Sequence, residues 1–407
     1  MYEYEEFIGK HIIKRRESMF LQDVSENEDK LREKIAGNSV LVIGGAGSIG
    51  VAFIEAVLHY EPSELYVIDT NENGLAELTR WLRSEGINMP EIYCPYPMDY
   101  SSEVFRKMFI NHRRDDGTSG FDIVANFSAH KHVRSEKDIY SVEALLRNNV
   151  INAKKLLDLL EQYPPETFFC VSTDKAANPV NIMGASKRIM EDLIFAYSNS
   201  FSVKTARFAN VAFSNGSLLD GFINRINAKQ PLSAPSDVKR YFVSQREAGQ
   251  ICMLSAITAN NREILFPKLS DAQMMKFDDI AINLLKEQGY IPYVCKSEAE
   301  AIERAANLRK GSKEYPVYFS KSDTSGEKMY EEFYLDDDVT DMNRYRSLGV
   351  ITDIELTKRD SFMSFLMNLE KVFDSNSVTK EDVVDIISDY LPEFNHIEKG
   401  KSLDVKM

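Results

Sequence analysis

The stretch that most constrains the fold of this chain of 407 residues is SVLVIGGAGSIG. A short, β-branched apolar run that ends in glycines predicts a buried parallel strand, and the spacing that follows predicts a helix. In such a strand–loop–helix unit, Gly44 allows a tight turn, Gly47 lets the backbone approach a pyrophosphate, and Gly50 permits close packing of helix on strand. The free N–H groups near Ser48 and Ile49 are expected to face the phosphates. The stretch therefore predicts a dinucleotide site.

An acidic residue ends the second predicted strand, ELYVID. Asp69 follows the glycine loop by about 20 residues, where a carboxylate accepts hydrogen bonds from the adenosine ribose and repels a 2′-phosphate. No Arg or Lys stands at the next three positions, so the sequence predicts NAD rather than NADP. Asp99, after the third predicted strand, is expected to contact the adenine together with Tyr100. A helix cap is the alternative for Asp99.

Strand-like apolar runs alternate with helical runs through the first half of the chain. ELYVIDT, FDIVANFS, ETFFCVSTD and VKTARFANV predict strands, and SVEALLRNNVINAKKLLDLLEQY predicts a long amphipathic segment. This alternation predicts an α/β fold, a doubly wound parallel sheet of the Rossmann type with right-handed crossovers. We expect four parts: an N-terminal helical arm (1–37), an NAD-binding domain (38–211), a smaller α/β substrate lobe (212–354, with an insertion near 276–322) and a C-terminal helical extension (355–407).

The run VSTDKAANPVNIMGASK raises a question about catalysis. It resembles the catalytic strand and helix of a short-chain dehydrogenase, in which a Tyr stands four residues before the Lys. Here Met183 stands four residues before Lys187, so both point to one face of a helix. Lys187 can still hold the nicotinamide ribose, but a thioether cannot move a proton. Either the site is inactive, or other residues of the run transfer the proton.

The same run resembles the signature of the nucleotide-sugar 4,6-dehydratases, the polysaccharide-biosynthesis branch of the extended short-chain dehydrogenases. A membrane-anchored subgroup of that branch also carries Met in place of Tyr. Five further segments agree with the branch: SAHKHV, RFANVAFSNGS, KRYFVS, FPKL and GEKMYEEF. The resemblance covers about 38–335. It implies an extended short-chain dehydrogenase fold, with cofactor contacts at Ser128 and Ala129.

The resemblance also implies a reaction. Members of this branch use bound NAD to oxidise C4 of a UDP-sugar, usually UDP-N-acetylglucosamine; water then leaves across C5 and C6, and the hydride returns to C6. The acid that protonates the departing C6 hydroxyl is expected to be Asp174, and the base that removes the C5 proton Lys175. Thr173 would hydrogen-bond the C4 oxygen.

Those roles require unusual protonation states. In water Asp is ionised and Lys protonated, and moving one proton from Lys to Asp costs about 9 kcal/mol for a pKa gap of about 6.5. Burial disfavours both charges, so we expect a closed, dry pocket. Because neighbours on a strand face opposite ways, the chain must also leave extended geometry at Asp174. With Met183 in place of Tyr, we expect Thr173 and the ribose hydroxyls to relay the C4 proton towards Lys187.

The resemblance places further side chains in a nucleotide-sugar cleft: Lys131, Asn210, Ser217, Arg240 and Glu327. Arg240 is expected to pair with the diphosphate, because its guanidinium matches phosphate oxygens, and Glu327 to accept from the nucleotide ribose. A surface charge or loop contact is the alternative for each. Ala209 replaces the usual Gly of RFGNV, and TSGEK lacks the Arg of RPGEK. These departures leave open whether the base is uridine or guanosine.

Composition narrows the class of partner. The formal net charge of -14, without a basic stripe, argues against a nucleic-acid binder. No apolar run approaches the roughly 20 residues that span a bilayer, and the N-terminus lacks the apolar core of a secretion signal. The four cysteines form no CxxC pair and no Cys/His cluster has ligand spacing, which predicts a reduced, cytoplasmic chain without a metal. A homo-oligomer is the family expectation.

Three other functions stay open at this point. A 4-epimerase would use the same NAD site but needs no acid–base pair at C5 and C6. The consecutive residues Thr173, Asp174 and Lys175 (the TDK run) therefore argue against it. A C5-inverting dehydratase would carry nearly the same residues as a retaining one. A non-catalytic NAD-binding protein would be consistent with Met183 and with the C-terminal extension.

Overall fold

The computed structural model describes residues 4–131, 136–309, 311–322, 331–356 and 359–397. Within these ranges the chain forms sixteen strands. They are β1 (Ser39–Ile43), β2 (Glu64–Asp69), β3 (Ile92–Pro97), β4 (Ile123–Asn126), β5 (Thr167–Val171), β6 (Ser202–Ala206), β7 (Asn210–Val211), β8 (Leu232–Pro235), β9 (Lys239–Arg240), β10 (Phe242–Val243), β11 (Glu263–Pro267), β12 (Met275–Lys276), β13 (Ile291–Val294), β14 (Glu314–Ser320), β15 (Thr340–Asp341) and β16 (Leu348–Ile351).

Nine of these strands form one sheet, in the order β15-β16-β11-β6-β5-β4-β1-β2-β3. Neighbours from β3 to β11 run parallel, while β16 and β15 join antiparallel at the far edge. Strands β1, β4 and β5 are buried along their whole length, as continuous apolar strands of a doubly covered sheet require. The predicted doubly wound parallel sheet is confirmed, and its crevice lies where the strand order reverses, between β1 and β4.

Fifteen α-helices occur in the described ranges. They are α1 (Glu5–Phe7), α2 (Leu21–Glu26), α3 (Glu28–Ile35), α4 (Ser48–Leu58), α5 (Glu72–Ser84), α6 (Glu103–Asn111), α7 (Ile139–Leu146), α8 (Ala153–Gln162), α9 (Ile182–Ala196), α10 (Leu218–Asn227), α11 (Gln245–Thr258), α12 (Phe277–Glu287), α13 (Glu298–Ala306), α14 (Arg359–Phe373) and α15 (Lys380–Tyr390). Helices α3, α4, α5 and α11 share one buried cluster with the sheet. Helices α6 to α9, α14 and α15 share another.

The segments on either side of the predicted NAD-binding domain pack on the same core. Leu31 and Ile35 of α3 are fully buried, and α14 and α15 lie within the predicted helical C-terminal extension. The sheet takes β11 and β16 from sequence beyond residue 211, and a separate parallel sheet, β13-β14-β8, supports the smaller lobe with α10 and α12. The exact domain limits stay a prediction.

Helices α4 and α11 approach closely because α11 carries a glycine at their contact. A Cβ atom at Gly249 would lie 2.2 Å from the carbonyl oxygen of Ala52 and 2.5 Å from its carbon. A side chain at this position would therefore overlap the backbone of α4. Through this contact α11 fixes the helix that follows the glycine loop.

A buried ion pair lies beneath the carboxyl end of β5. Glu191 of α9 is 1% exposed and accepts hydrogen bonds from Arg207, from Nε at 2.9 Å and Nη2 at 2.6 Å. The Ser172 hydroxyl donates to the same carboxylate at 2.5 Å. Burial acts to raise the pKa of Glu191, but the attraction of Arg207 prevails and leaves that pKa below its ordinary value. The pair links α9 to the chain that leaves β6, and the Ser172 bond links α9 to the chain that leaves β5.

We expect Gly249→Ala to lower the free energy of unfolding by about 1–3 kcal/mol, because the new methyl group overlaps a backbone carbonyl. Gly221→Ala in α10 is the matched control, since nothing lies within 4 Å of its Cβ position. That substitution should leave stability unchanged or raise it by up to about 1 kcal/mol. Urea denaturation of both variants measures the difference, and equal stabilities would contradict the close packing.

Glu191→Gln should destabilise the fold by about 3–5 kcal/mol at neutral pH, because Arg207 is left buried without a counter-ion. Glu103→Gln, which breaks an exposed pair with Arg106, should cost less than about 1 kcal/mol. Because the pKa of Glu191 is lowered by folding, the wild type keeps this contribution above the unfolded pKa of about 4.3 and loses it as pH falls through the folded value. Denaturation as a function of pH tests this, and similar losses for the two variants would refute it.

Candidate functional site

A cavity of about 640 Å³ opens at the carboxyl ends of the central strands. It draws its wall from the loops after β1, β2, β3, β4 and β5, from α9 and from the chain after β6. Most of the site residues predicted from sequence belong to this wall: Gly44, Gly47, Ser48, Ile49, Gly50, Asp69, Asp99, Tyr100, Ser128, Ala129, Lys131, Thr173, Asp174, Lys175, Met183, Lys187, Asn210 and Ser217. The fold thus brings the glycine loop and the TDK run into one crevice.

The glycine loop fits tightly against the chain after β4. Gly44 has a φ of 73°, and a Cβ atom there would lie 2.6 Å from the backbone nitrogen of Ser128. A Cβ atom at Gly50 would lie 2.5 Å from the carbonyl oxygen of Gly44. Helix α4 begins at Ser48, directly after the loop. Its first turn lies in the cavity wall, where the unpaired N–H groups of a helix start favour an anion.

The carboxylate of Asp69 is fixed at the end of β2. It accepts hydrogen bonds from the backbone nitrogen of Ala46 at 3.0 Å and from that of Asn71 at 2.9 Å. Each bond uses one oxygen, so the carboxylate keeps lone pairs for a ligand in the cavity. Asp69 therefore links the glycine loop to the next loop along the sheet.

The loop after β3 forms the next part of the wall. The Asp99 carboxylate accepts from the backbone nitrogen of Ser101 at 2.7 Å, and the Tyr100 hydroxyl donates to the carbonyl oxygen of Asn148 at 2.9 Å. Helix α6 is capped by Ser102, so the helix-cap alternative for Asp99 is wrong. Asp99 turns the chain locally and remains available to a ligand.

The chain leaves extended geometry at Asp174, as the expected roles of Asp174 and Lys175 require. Thr173 is still extended, with φ -150° and ψ 159°, and a turn of 3₁₀-helix follows at Asp174–Ala176. Asp174 is 3% exposed; it accepts from the Thr173 hydroxyl at 2.6 Å and from the Lys175 ammonium, 3.2 Å from both carboxylate oxygens. Three consecutive side chains thus form one hydrogen-bonded chain within the cavity wall.

The charge state of Lys175 differs from the expectation based on burial alone. Burial acts to lower the pKa of this amine, but attraction by Asp174 and then Glu331 prevails and leaves the pKa above its ordinary value. The ammonium form is therefore stabilised in the resting site. For Lys175 to act as a base, a neighbouring carboxylate must first lose its charge.

Met183 and Lys187 lie on one face of α9 and both contribute to the cavity wall, as their spacing predicted. The Lys187 ammonium donates to the carbonyl oxygen of Val171 at 3.1 Å, and burial lowers its pKa. The first turn of α9 is held by Glu136, whose carboxylate accepts from the Met183 backbone nitrogen at 2.9 Å. The Lys380 side chain of α15 donates to the carbonyl oxygen of Glu136 at 2.9 Å.

The predicted substrate residues differ in their position relative to the cavity. Lys131, Asn210 and Ser217 lie in the cavity wall, and Ser217 also caps α10. Arg240 lies outside the wall that the described residues form; it is 7% exposed, and its Nε lies 3.4 Å from the Glu331 carboxylate. Glu327 lies outside the described residues. A contact of Arg240 with a diphosphate stays a prediction.

Sequence reasoning missed Glu331, which is buried beside this site. Its carboxylate accepts from the Asn210 side-chain amide at 2.6 Å and from the Tyr241 backbone nitrogen at 2.9 Å. Burial and then the charge of Asp174 raise the pKa of Glu331 to about 7. The segment GEKMYEEF contains two adjacent glutamates, and only tertiary contacts distinguish buried Glu331 from exposed Glu332.

The described residues contain no group of three or more His, Cys, Asp or Glu side chains that could hold a metal ion. All four cysteines are free thiols, and three of them are buried. Among the helices of the same residues, none has the length and apolar character to cross a membrane.

Comparison with known proteins agrees with this geometry. The sequence model of the family described as "Polysaccharide biosynthesis protein" matches residues 40–352. The chain is 27% identical over 330 residues to the probable polysaccharide biosynthesis protein EpsC of Bacillus subtilis, covering 79% of this chain and 52% of EpsC. It thus spans about half the length of that relative. It is 23% identical over 309 residues to a UDP-N-acetylglucosamine 4,6-dehydratase (inverting) of Campylobacter jejuni, covering 73% of this chain and 81% of that protein.

A solved structure supports the fold. DesIV, a dTDP-glucose 4,6-dehydratase from Streptomyces venezuelae with NAD and TYD bound, aligns with a TM-score of 0.54 at 18% identity, covering 72% of this chain and 88% of DesIV. The fold is that of a Rossmann-like extended short-chain dehydrogenase. The family match spans both the glycine loop and the TDK run, and the chain therefore belongs to the polysaccharide biosynthesis protein family.

Proposed function

We propose that the protein is an NAD-dependent lyase that converts a nucleotide-activated N-acetylhexosamine, UDP-N-acetylglucosamine in the first instance, to the 4-keto-6-deoxy sugar. The observation that carries this proposal is the hydrogen-bonded chain of Thr173, Asp174 and Lys175 in the wall of the cavity that also contains the glycine loop. A dinucleotide site and an acid–base pair therefore share one crevice. The relationship to an inverting UDP-N-acetylglucosamine 4,6-dehydratase supports the same reaction.

The residues of the cavity fit NAD. Gly44 lets the loop pack closely against the chain after β4, and Gly50 lets α4 start close to the loop. The first turn of α4 favours a pyrophosphate, and Asp69 has lone pairs for the ribose hydroxyls. NAD bound there would supply the redox chemistry, because it can take a hydride from C4 of the sugar and return it to C6. The absence of Arg and Lys directly after Asp69 in the sequence favours NAD over NADP.

The C4 hydroxyl must lose a proton when its carbon is oxidised. The Thr173 hydroxyl donates to Asp174 at 2.6 Å, while the Lys187 ammonium is bonded to the carbonyl oxygen of Val171. A proton that passes from the C4 hydroxyl through Thr173 therefore reaches Asp174 directly. This route replaces the relay towards Lys187 expected from the sequence, and it requires no Tyr at Met183.

The same transfer prepares the elimination. Once Asp174 carries the C4 proton, it is the neutral acid that the departing C6 hydroxyl requires. Its loss of charge also removes the largest attraction on Lys175, so burial then favours the neutral amine. With 27% of its side chain exposed, Lys175 can release its own proton to solvent. It then takes the C5 proton, and after C6 is reduced a proton from Lys175 or from solvent is added to C5.

Two alternative functions would use the same cavity. A 4-epimerase would need the NAD site but would leave the Asp174–Lys175 pair without a task. A non-catalytic NAD-binding protein would need neither that pair nor a polar turn after β5. The hydrogen-bonded order of Thr173, Asp174 and Lys175 favours the dehydratase over both.

Incubation of the protein and NAD with UDP-N-acetylglucosamine should give a product lighter by one water, detected by mass spectrometry, with a GDP-sugar assayed in parallel. Asp174→Asn should slow product formation by about 10²-fold or more, because the acid is lost. Asp115→Asn at an exposed position is the matched control and should keep wild-type activity. A product of unchanged mass with inverted C4 would indicate an epimerase, and no product with either sugar would overturn the proposal.

Thr173→Val should slow C4 oxidation by about 10²-fold, because the substitution keeps the shape of the side chain but removes the hydroxyl that passes the proton. Met183→Ala should retain most of the activity, since the thioether moves no proton. NADH absorbance in single-turnover experiments measures the step directly. Near-normal C4 oxidation by Thr173→Val would exclude the route through this hydroxyl.

A further inference from the structure

Glu331 is bonded to Asn210, which shares the cavity wall with Asp174 and Lys175, yet the steps above give Glu331 no task. Its side chain is 3% exposed. It accepts from Asn210 at 2.6 Å and from the Tyr241 backbone at 2.9 Å, and its carboxylate lies 3.4 Å from Arg240. Burying a carboxylate is unfavourable unless such donors compensate it. The fold therefore keeps a carboxyl group buried at this point at some expense of stability.

The backbone that carries Glu331 is held by the core. The carbonyl oxygen of Phe333 accepts from buried Arg207 at 2.9 Å. The Phe333 ring packs against Tyr241 and Phe266, with centroid distances of 5.9 Å and 6.3 Å. These contacts fix the chain two residues beyond Glu331. The position of the carboxylate relative to the TDK turn is thus set by packing.

Four charged groups interact at this place. Asp174 and Lys175 come from the turn after β5, Arg240 from β9, and Glu331 from the segment before β15. Both carboxylates stabilise the Lys175 ammonium, whereas Arg240 repels it. In turn, burial and Asp174 raise the pKa of Glu331 to about 7, against the attraction of Lys175 and Arg240. The protonation of each group therefore depends on the others.

We propose that Glu331 is a positioning residue that controls the charge of Lys175, keeping the amine protonated in the resting site while it holds Asn210 and Arg240 in place. Its effect on catalysis rests on the proposed function, but its effect on Lys175 exists without any substrate. A lysine that stays protonated until Asp174 is neutralised cannot remove a proton prematurely. Glu331 would thus act with Asp174 to keep Lys175 from accepting a proton in the resting site.

The charge of Lys175 can be measured in the protein and NAD alone. Trace labelling with 1-fluoro-2,4-dinitrobenzene modifies only the neutral amine, and peptide mass spectrometry reports its extent at Lys175 as a function of pH. In Glu331→Gln the labelling midpoint should move to lower pH, because one of the two attracting anions is gone. At a fixed pH below the midpoint, labelling should rise roughly three- to tenfold, which corresponds to about 0.5–1 unit of pKa.

Matched variants separate this effect from a general disturbance. Glu332→Gln makes the same substitution at the exposed neighbour and should leave the Lys175 midpoint unchanged. Glu331→Asp keeps the charge and should keep the midpoint closer to wild type than Glu331→Gln does. An unchanged midpoint in folded Glu331→Gln would overturn the proposal, as would an equal shift in Glu332→Gln.

Wild type gives a second test that does not depend on the folding of a variant. Because burial raises the pKa of Glu331 to about 7 and its charge raises the pKa of Lys175, the logarithm of the labelling rate should rise with a slope below one over the pH range in which Glu331 loses its proton. A slope of one throughout would refute the link between the two groups.

Turnover distinguishes the two proposals. If wild type dehydrates the sugar, the limb of the pH–rate profile governed by the base should move to lower pH in Glu331→Gln, in parallel with the labelling midpoint. If no sugar is converted but the labelling midpoint moves, the proposed function fails and the role of Glu331 stands. If the sugar is converted and neither midpoint nor profile moves, the role of Glu331 fails alone.

Discussion

Adjacent residues of a β-strand point to opposite faces, so two of them can reach one substrate only where the strand ends. The site depends on this constraint, which is met where β5 ends: Thr173 is extended and Asp174 begins a turn of 3₁₀-helix. The turn places a hydroxyl, a carboxylate and an ammonium in one hydrogen-bonded chain. The buried Glu191–Arg207 pair supports it from below, because Ser172 is bonded to the same carboxylate. A loop alone would hold these groups less firmly.

Electrostatics then decides what the three groups can do. Simple burial would make Lys175 easy to deprotonate, yet the carboxylates around it favour its charged form. In the proposed reaction, Lys175 would therefore become a base only after Asp174 has taken up a proton. A proton that arrives on Asp174 would weaken the attraction on Lys175, and oxidation and elimination would be coupled through charge. The proposed route through Thr173 would also account for Met183 at the position where a phenol is usual.

The features of the site that depend on neighbouring residues could be predicted from the sequence alone. The spacing of Gly44 and Gly50, the acid at Asp69 and the shared helix face of Met183 and Lys187 each depend on a few consecutive residues, and their geometry followed directly. Contacts between segments that are distant in sequence could not be predicted in this way. Nothing in the sequence near Arg240 indicates that Glu331 lies 3.4 Å away.

The edge of the main sheet likewise could not be predicted from the sequence. Strands β11 and β16 join its edge from sequence far beyond the alternating pattern, and no local periodicity reports such pairing. The charge of Lys175 likewise depends on a partner more than 150 positions away in the chain. Propensity and spacing predict elements, whereas tertiary packing decides which side chains share an environment.

The contact between α15 and the first turn of α9 has a consequence for how the molecule unfolds. Glu136 accepts from the Met183 backbone while its own carbonyl binds Lys380, and the backbone nitrogen of Ile397 donates to the carbonyl oxygen of Val180 at 3.1 Å. Chain segments some 200 positions apart are thereby tied to the start of one helix. Opening of the C-terminal helices would remove the Lys380 and Ile397 bonds but leave the bond between Glu136 and Met183, so the segment before α9 would loosen while the first turn of α9 keeps its partner.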